Sequence, residues 1–160
     1  MRRRMRRGLV AAGLLGAGWA TIRRLGAFRV EVAGDSMSPT LEAGQYLVAT
    51  RPPARLGRGD VVVVRRPERP IDVVKRVVGL PGEEVVVEDG VVTVGGRRLD
   101  EPYARGTGPG GRWHLGPDEF VVLGDNRDRS SDSRAFGAIP RGAVVGVVRL
   151  RYWPRAGWLG

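Results

Sequence analysis

Residues 84–96 read EVVVEDGVVTVGG. Two valine runs flank Asp89-Gly90, a pair that accepts positive φ and closes a tight turn between strands. Valine is β-branched and suits a pleated, half-buried surface better than a helix. The pattern repeats outward. FRVEV (28–32) alternates apolar and polar residues like a half-buried strand. QYLVAT (45–50), VVVVRR (61–66) and IDVVKRVVGL (71–80) each read as a strand, the last stopped by Pro81-Gly82. Downstream, EFVVLGD (119–125) and AVVGVVRLRYW (143–153) do the same. The joining segment RPPARLGRGD (51–60) is kept from helix by its prolines and glycines. GTGPGGR (106–112) reads as a flexible segment and NRDRSSDSR (126–134) as a polar loop. No helical period is sustained after Leu25, apart from one turn near 37–42. The expected fold is mainly β, built from antiparallel strands, with no internal repeat.

The 160 residues suit one domain with appendages. Their net charge of +10 invites a nucleic-acid reading. The distribution argues against it: residues 1–24 hold seven arginines and no acid, so residues 25–160 carry only +3. The absence of cysteine excludes disulfides, thiolate metal sites and a cysteine nucleophile. All but one of the 27 basic residues are arginine, and Lys75 is the single lysine. Arginine stays protonated, whereas burial readily lowers a lysine pKa and makes it a usable base.

The N-terminus reads MRRRMRR, then GLVAAGLLGAGWATI (8–22), then two more arginines. Fifteen apolar residues rise roughly 22 Å as a helix, short of the ~30 Å hydrocarbon layer. Flanking arginines can snorkel and a bilayer can thin. Three readings compete: an uncleaved anchor held with its N-terminus inside by the arginines, a cleavable signal peptide, and an amphipathic surface helix. The anchor is favoured, because Trp19, Thr21 and Ile22 crowd the place where a small-residue cleavage site would lie. The expected division is 1–25 for the basic N-terminus and anchor and 26–160 for a β-rich domain.

Three segments carry candidate chemistry. GDSMSPTL (34–41) sets Ser36 in a polar turn stiffened by Pro39, although turn serines are common. DVVKRVV (72–78) places Val73, Lys75 and Val77 on one strand face. On a core-facing side Lys75 would be desolvated and able to take a serine proton; at an edge it would reach water. GDNRDRSSDSR (124–134) lacks the ordered carboxylates of a calcium loop, and its serines suit the orienting of a neutral lysine. His114 is the single histidine, and nothing in the sequence settles its role.

Together, GDSMSPTL, GRGDVVVV (57–64), VVKRVVGLPGE (73–83) and GDNRDRSSDSRAFG (124–137), in this order, resemble the motif boxes of type I signal peptidases. These are membrane-anchored serine proteases with a serine–lysine dyad. The resemblance covers most of 28–150, including EPY (101–103), and implies a signal-peptidase-like catalytic domain behind one membrane helix. It implies that Ser36 is the nucleophile, Lys75 the general base and Ser130 the hydroxyl that orients the amine. Asp132 and Arg134 would brace that loop, while Gly34, Asp35, Met37 and Pro39 shape the Ser36 turn. The Ser36 N–H would line the oxyanion hole. Some members place a second donor, a serine, where Gly34 stands here. Residues 83–118 correspond to a reduced hairpin and loop in place of a larger accessory region.

The implied partners are exported pre-proteins and the lipid membrane, with no cofactor, no metal and no nucleic acid. The implied location is the cytoplasmic membrane, with one span, the N-terminus inside and the catalytic domain outside. A dedicated precursor-maturation protease of the same family, for example one acting on nickel superoxide dismutase, is the alternative enzyme. A self-cleaving repressor shares the chemistry, but no DNA-binding helical domain precedes the dyad segments. A membrane-tethered β-domain that only binds partners is the non-enzymatic alternative.

Overall fold

The computed structural model describes residues 26–66, 71–154 and 156–158. The expected N-terminal anchor therefore lies outside the described residues. Among the described residues no helix is long and apolar enough to cross a membrane.

The elements are β1 (Phe28–Glu31), β2 (Tyr46–Thr50), β3 (Val61–Arg65), β4 (Asp72–Gly79), β5 (Glu84–Glu88), β6 (Val91–Val94), β7 (Arg97–Arg98), β8 (Gly111–His114) and β9 (Glu119–Leu123). A short helix, α1 (Ser133–Phe136), follows, then β10 (Ile139–Pro140), β11 (Val144–Trp153) and β12 (Gly157–Trp158). One sheet runs β1-β2-β11-β3-β4-β9-β10, with β12 also on β11; the other runs β7-β6-β5-β8. Every strand pair is antiparallel. The expected mainly β, antiparallel architecture is what forms.

The valine run of β3 is apolar on both faces because both faces are covered. Val62 and Val64 enter one core cluster with Val77, Phe120, Val122 and Ile139. Val61 and Val63 enter another with Val32, Met37, Leu41 and Leu47. β9 alternates in the same way. Phe120 and Val122 join the first cluster, while Val121 and Leu123 join a third with Val78, Val85 and Val87, which fastens the second sheet to the first. Gly79 sits at that junction, where the β4–β9 register shifts. A Cβ there would lie 2.7 Å from Val85 and 2.9 Å from Leu115 and Val121, so only glycine allows the sheets to meet. The hairpin closes as its sequence requires: Glu88 pairs with Val91, and Asp89 and Gly90 take φ of 49° and 78°.

Two features differ from the sequence reading. The glycine-rich segment contributes β8, which pairs with β5. The loop read as 126–134 holds a 3₁₀ turn at Arg127–Arg129 and runs into α1. The segment near 37–42 forms the single turn expected of it, Leu41 N–H to Met37 C=O at 2.9 Å.

Candidate active site

Ser36 follows β1 on a turn fixed from both sides. Met37 is buried in the second core cluster, so the side chain next to Ser36 is an apolar plug. The Ser38 N–H donates to the Asp35 carbonyl at 3.1 Å, and the Asn126 N–H donates to the Ser36 carbonyl at 3.1 Å. The Ser38–Pro39 peptide is cis. Asp35 is exposed and pairs with Arg129 at 3.3 Å. Gly34 is exposed, with nothing within 4 Å of where a Cβ would sit.

Lys75 comes from the middle of β4, opposite Val62 of β3. Strand alternation puts it on the face of Val73 and Val77, as the sequence predicts. Only 2% of it is exposed. Its Nζ lies 2.7 Å from Ser36 Oγ and donates to the Val74 carbonyl at 2.9 Å. Burial lowers its pKa to about 8; nearby Arg66 adds to the lowering, and Asp132 and Asp125 oppose it. Two residues 39 apart in sequence thus meet in hydrogen-bond contact.

The loop after β9 stands behind this pair. Asp132 is fully buried and accepts from Arg134 Nε at 2.9 Å, from Arg134 Nη2 at 2.9 Å and from the Gly124 N–H at 2.9 Å. It also caps α1 by accepting from the Arg134 N–H. Burial alone would raise its pKa. Arg134, the Gly124 N–H and the Ser130 hydroxyl outweigh burial and hold it below the ordinary value. Arg134 reaches on to the Arg127 carbonyl at 2.8 Å. Ser130 Oγ is buried against Gly124 and the Ser36 carbonyl, yet it makes no hydrogen bond of good geometry. The contact expected between Ser130 and Lys75 is therefore not made in this arrangement, where the amine is engaged by Ser36 and the Val74 carbonyl instead.

Several groups escaped the sequence reading. Arg76, next to Lys75 but on the opposite strand face, makes a two-pronged bond to Asp125, Nε at 2.9 Å and Nη2 at 2.6 Å. Thr40 donates to the same carboxylate at 2.5 Å, and Tyr103 of the EPY segment lies 3.9 Å under the guanidinium. This cluster joins the Ser36 turn to the strand that carries Lys75. Deeper still, Arg127 pairs with Glu101 at 2.8 Å, both nearly without solvent. The abundance of Asp and Arg in the loop hinted at such pairs, but nothing in the sequence names their partners. His114 is mostly exposed on β8, 3.4 Å from Glu84, and takes no part in the Ser36 surroundings.

A cleft of about 320 Å³ opens onto Ser36 and Lys75, between residues 30–37 and 71–75. Its walls are largely apolar, with Val30, Val32, Met37, Val73 and Val74 among them. Among the described residues β1 is the edge of its sheet, and β9 pairs only with Arg76–Gly79 of β4, so the strand's first half also keeps one free edge there. Larger cavities lie elsewhere, one of about 440 Å³ lined by residues 90–92, 98–102, 104 and 106, and one of about 430 Å³ beside Arg76 and Tyr103. Neither of these two touches the Ser36–Lys75 pair. Among the described residues no cluster of three or more His, Cys, Asp or Glu is placed to hold a metal ion.

Comparison with known proteins places the chain in a family. The family described as "Signal peptidase, peptidase S26" matches residues 2–153. A signal peptidase I of Bacillus caldolyticus is 36% identical over 154 residues, covering 84% of this chain and 84% of that protein. One of Leptolyngbya laminosa is 37% identical over 150 residues, covering 81% and 71%. The crystal structure of a signal peptidase I from Enterococcus faecalis V583 superposes with a TM-score of 0.52 at 29% identity, covering 58% of this chain and 96% of that one. The alternative of a dedicated maturation protease finds no support among these relatives. With its antiparallel β framework and a match running almost end to end, the chain belongs to the S26 family of signal peptidases, which are serine endopeptidases.

Proposed function

We propose that Ser36 is the nucleophile and Lys75 the general base of a peptidase that removes N-terminal signal peptides from exported pre-proteins. The observation that carries this reading is the 2.7 Å contact between the only lysine, itself shut away from water, and a half-buried serine hydroxyl at the end of an open cleft.

The chemistry follows from the two groups. Neutral Lys75 takes the Ser36 proton as Oγ attacks the scissile carbonyl. The resulting ammonium returns that proton to the departing amine, leaving an ester on Ser36. Lys75, neutral again, draws a proton from water; the hydroxide formed attacks the ester, and the ammonium returns the proton to Ser36 Oγ as the ester bond breaks. Among the described residues no protein acceptor takes the Ser36 N–H, so it is available to the oxyanion. The buried Asp132–Arg134 pair fixes the loop that holds Ser130 beside the dyad, where its hydroxyl orients the amine once substrate displaces the resting contacts. An extended peptide fits between the free edges of β1 and β4, its main chain completing their ladders and its small side chains entering the apolar cleft.

The N-terminal segment of this proposal is a membrane anchor, with the catalytic domain outside. Only a few residues then separate the bilayer from β1. Enzyme and tethered substrate share a plane, which raises their effective concentration.

The test is to incubate the full chain in detergent with a pre-protein and to locate the cut by mass spectrometry. The expected product begins at the mature N-terminus and is absent with Ser36→Ala. Cleavage that persists in Ser36→Ala overturns the assignment.

A further inference from the structure

Arg66 immediately follows β3, on the strand face of Val62 and Val64. Val62 is opposite Lys75 and Val64 opposite Val73. The Arg66 N–H donates to the Ile71 carbonyl at 3.3 Å, which carries the ladder one step further. Arg66 and Lys75 therefore project from the same side of the β3–β4 hairpin. The Arg66 guanidinium carbon lies 5.2 Å from the centre of the Phe136 ring. Phe136 ends α1, the helix that Asp132 begins. Arg66 Nε is buried without an acceptor, and among the described residues no carboxylate pairs with Arg66.

Among the described residues the other charges around Lys75 are matched. Asp125 is paired with Arg76, Asp132 with Arg134, Asp72 with Arg65 and Asp35 with Arg129. Glu31 on the cleft rim is exposed, so water screens it. Asp132, although paired, still acts on Lys75 more strongly than Arg66 does, and Arg66 offsets part of that pull.

We propose that Arg66 is a positioning residue of the catalytic base: a guanidinium unmatched among the described residues that disfavours a second positive charge on Lys75 and so raises the share of amine that is neutral and ready to accept the Ser36 proton. An apolar residue at 66 would help to desolvate the amine but would not repel a proton. A carboxylate there would stabilise the ammonium and hold the base in its idle form. Arg66 acts on Lys75 in the same direction as burial, against Asp132 and Asp125. The inference rests on Lys75 being the base.

Lys75 is the only lysine, so the full chain labelled with [15N]lysine in detergent gives one side-chain nitrogen resonance, whose titration reads the amine directly. The expected midpoint is about 8 in the parent protein and higher in Arg66→Gln. The acid limb of kcat/KM against a signal-peptide substrate moves with it. At pH 7 Arg66→Gln cleaves about threefold more slowly, and above the limb the two rates converge. Arg66→Met, which keeps an unbranched stem over Phe136, is the second neutral variant should the glutamine protein fold poorly. A midpoint that stays put or falls in both neutral variants overturns the proposal, as does a loss of activity equal at every pH. If Lys75→Ala still cleaves, the dyad itself is wrong. If Lys75→Ala is inactive while the Arg66 variants leave the midpoint unmoved, the role of Arg66 alone falls.

Discussion

Lys75 Nζ lies 2.7 Å from Ser36 Oγ, on a strand interior where only 2% of the lysine is exposed. A base in this position works only when uncharged. Its pKa of about 8 means that the active fraction rises as pH increases through 8 and falls tenfold for each unit below it. The expected kcat/KM profile has an acid limb near pH 8. Ser36→Ala and Lys75→Ala reduce turnover by more than about 10⁴-fold. Lys75→Arg does the same despite its retained charge, because guanidinium does not give up its proton. Turnover by Lys75→Arg within tenfold of the parent would falsify the base assignment.

The same burial costs stability. The folded-state pKa of Lys75 is lowered from 10.5 to about 8. Below pH 8 the fold must hold a buried ammonium, so the penalty is fully present there. It fades between pH 8 and 10.5, where the unfolded chain still binds the proton and the folded one does not. A shift of this size corresponds to about 3 kcal/mol. Lys75→Met, of similar length, is therefore expected to be inactive but more stable at pH 7, by on the order of 2–3 kcal/mol after the lost hydrogen bonds. That is several degrees in Tm. The gain should shrink as pH approaches 10.5. A methionine variant less stable than the parent at pH 7 contradicts the burial argument.

What the sequence could reveal depended on whether a signal was local. β3 and β4 were legible because burial on both faces demands the unbroken valine run of residues 61–64, and the β5–β6 turn because Asp89-Gly90 meets a backbone need inside the turn itself. The strand period alone also put Lys75 on the core side with Val73 and Val77. β8 was not legible: Gly111–His114 has little apolar content, and its pairing partner β5 supplies the order. α1 is one turn long, too short to show a period. The Arg76–Asp125 pair joins residues 49 apart, and no local pattern could link them. The order of the motif boxes singled out Ser36, Lys75 and Ser130 as candidates by resemblance, but not that the amine rests on the Val74 carbonyl instead of on Ser130.

Asp132 is expected to hold the loop more than to touch the chemistry. It is fully buried, and Arg134 opposite it has a side chain only 1% exposed. Removing one partner of such a pair strands the other charge and costs about 3–5 kcal/mol. Asp132→Ala should show that loss in urea unfolding. Because the carboxyl pKa is lowered in the fold, its contribution is present above the ordinary carboxylate range and is lost as pH falls through the folded value. The gap between parent and Asp132→Ala should accordingly narrow under acid conditions. A gap that widens in acid would rule out an ionised Asp132.

Two glycines beside Ser36 should respond in opposite ways to the same added carbon. Neither has positive φ, so backbone strain does not distinguish them and only space does. A Cβ on Gly124 would collide with Ser130 Oγ and with the Ser36 carbonyl oxygen. Gly124 is buried with its N–H bonded to Asp132 at 2.9 Å, so relief must come from moving the dyad loop. Gly124→Ala should cut kcat by about 100-fold or more, since a displacement near 1 Å is enough for that. At Gly34 a Cβ meets nothing within 4 Å. Gly34→Ala should leave Tm and kcat unchanged. Gly34→Ser places a hydroxyl two residues before the nucleophile, where the family can carry a second oxyanion donor, and should raise kcat on the order of tenfold with little change in KM. Steady-state kinetics and thermal unfolding of the three variants settle the matter: an active Gly124→Ala, or a Gly34→Ala as impaired as Gly124→Ala, would mean that the Ser36 turn is not held as described.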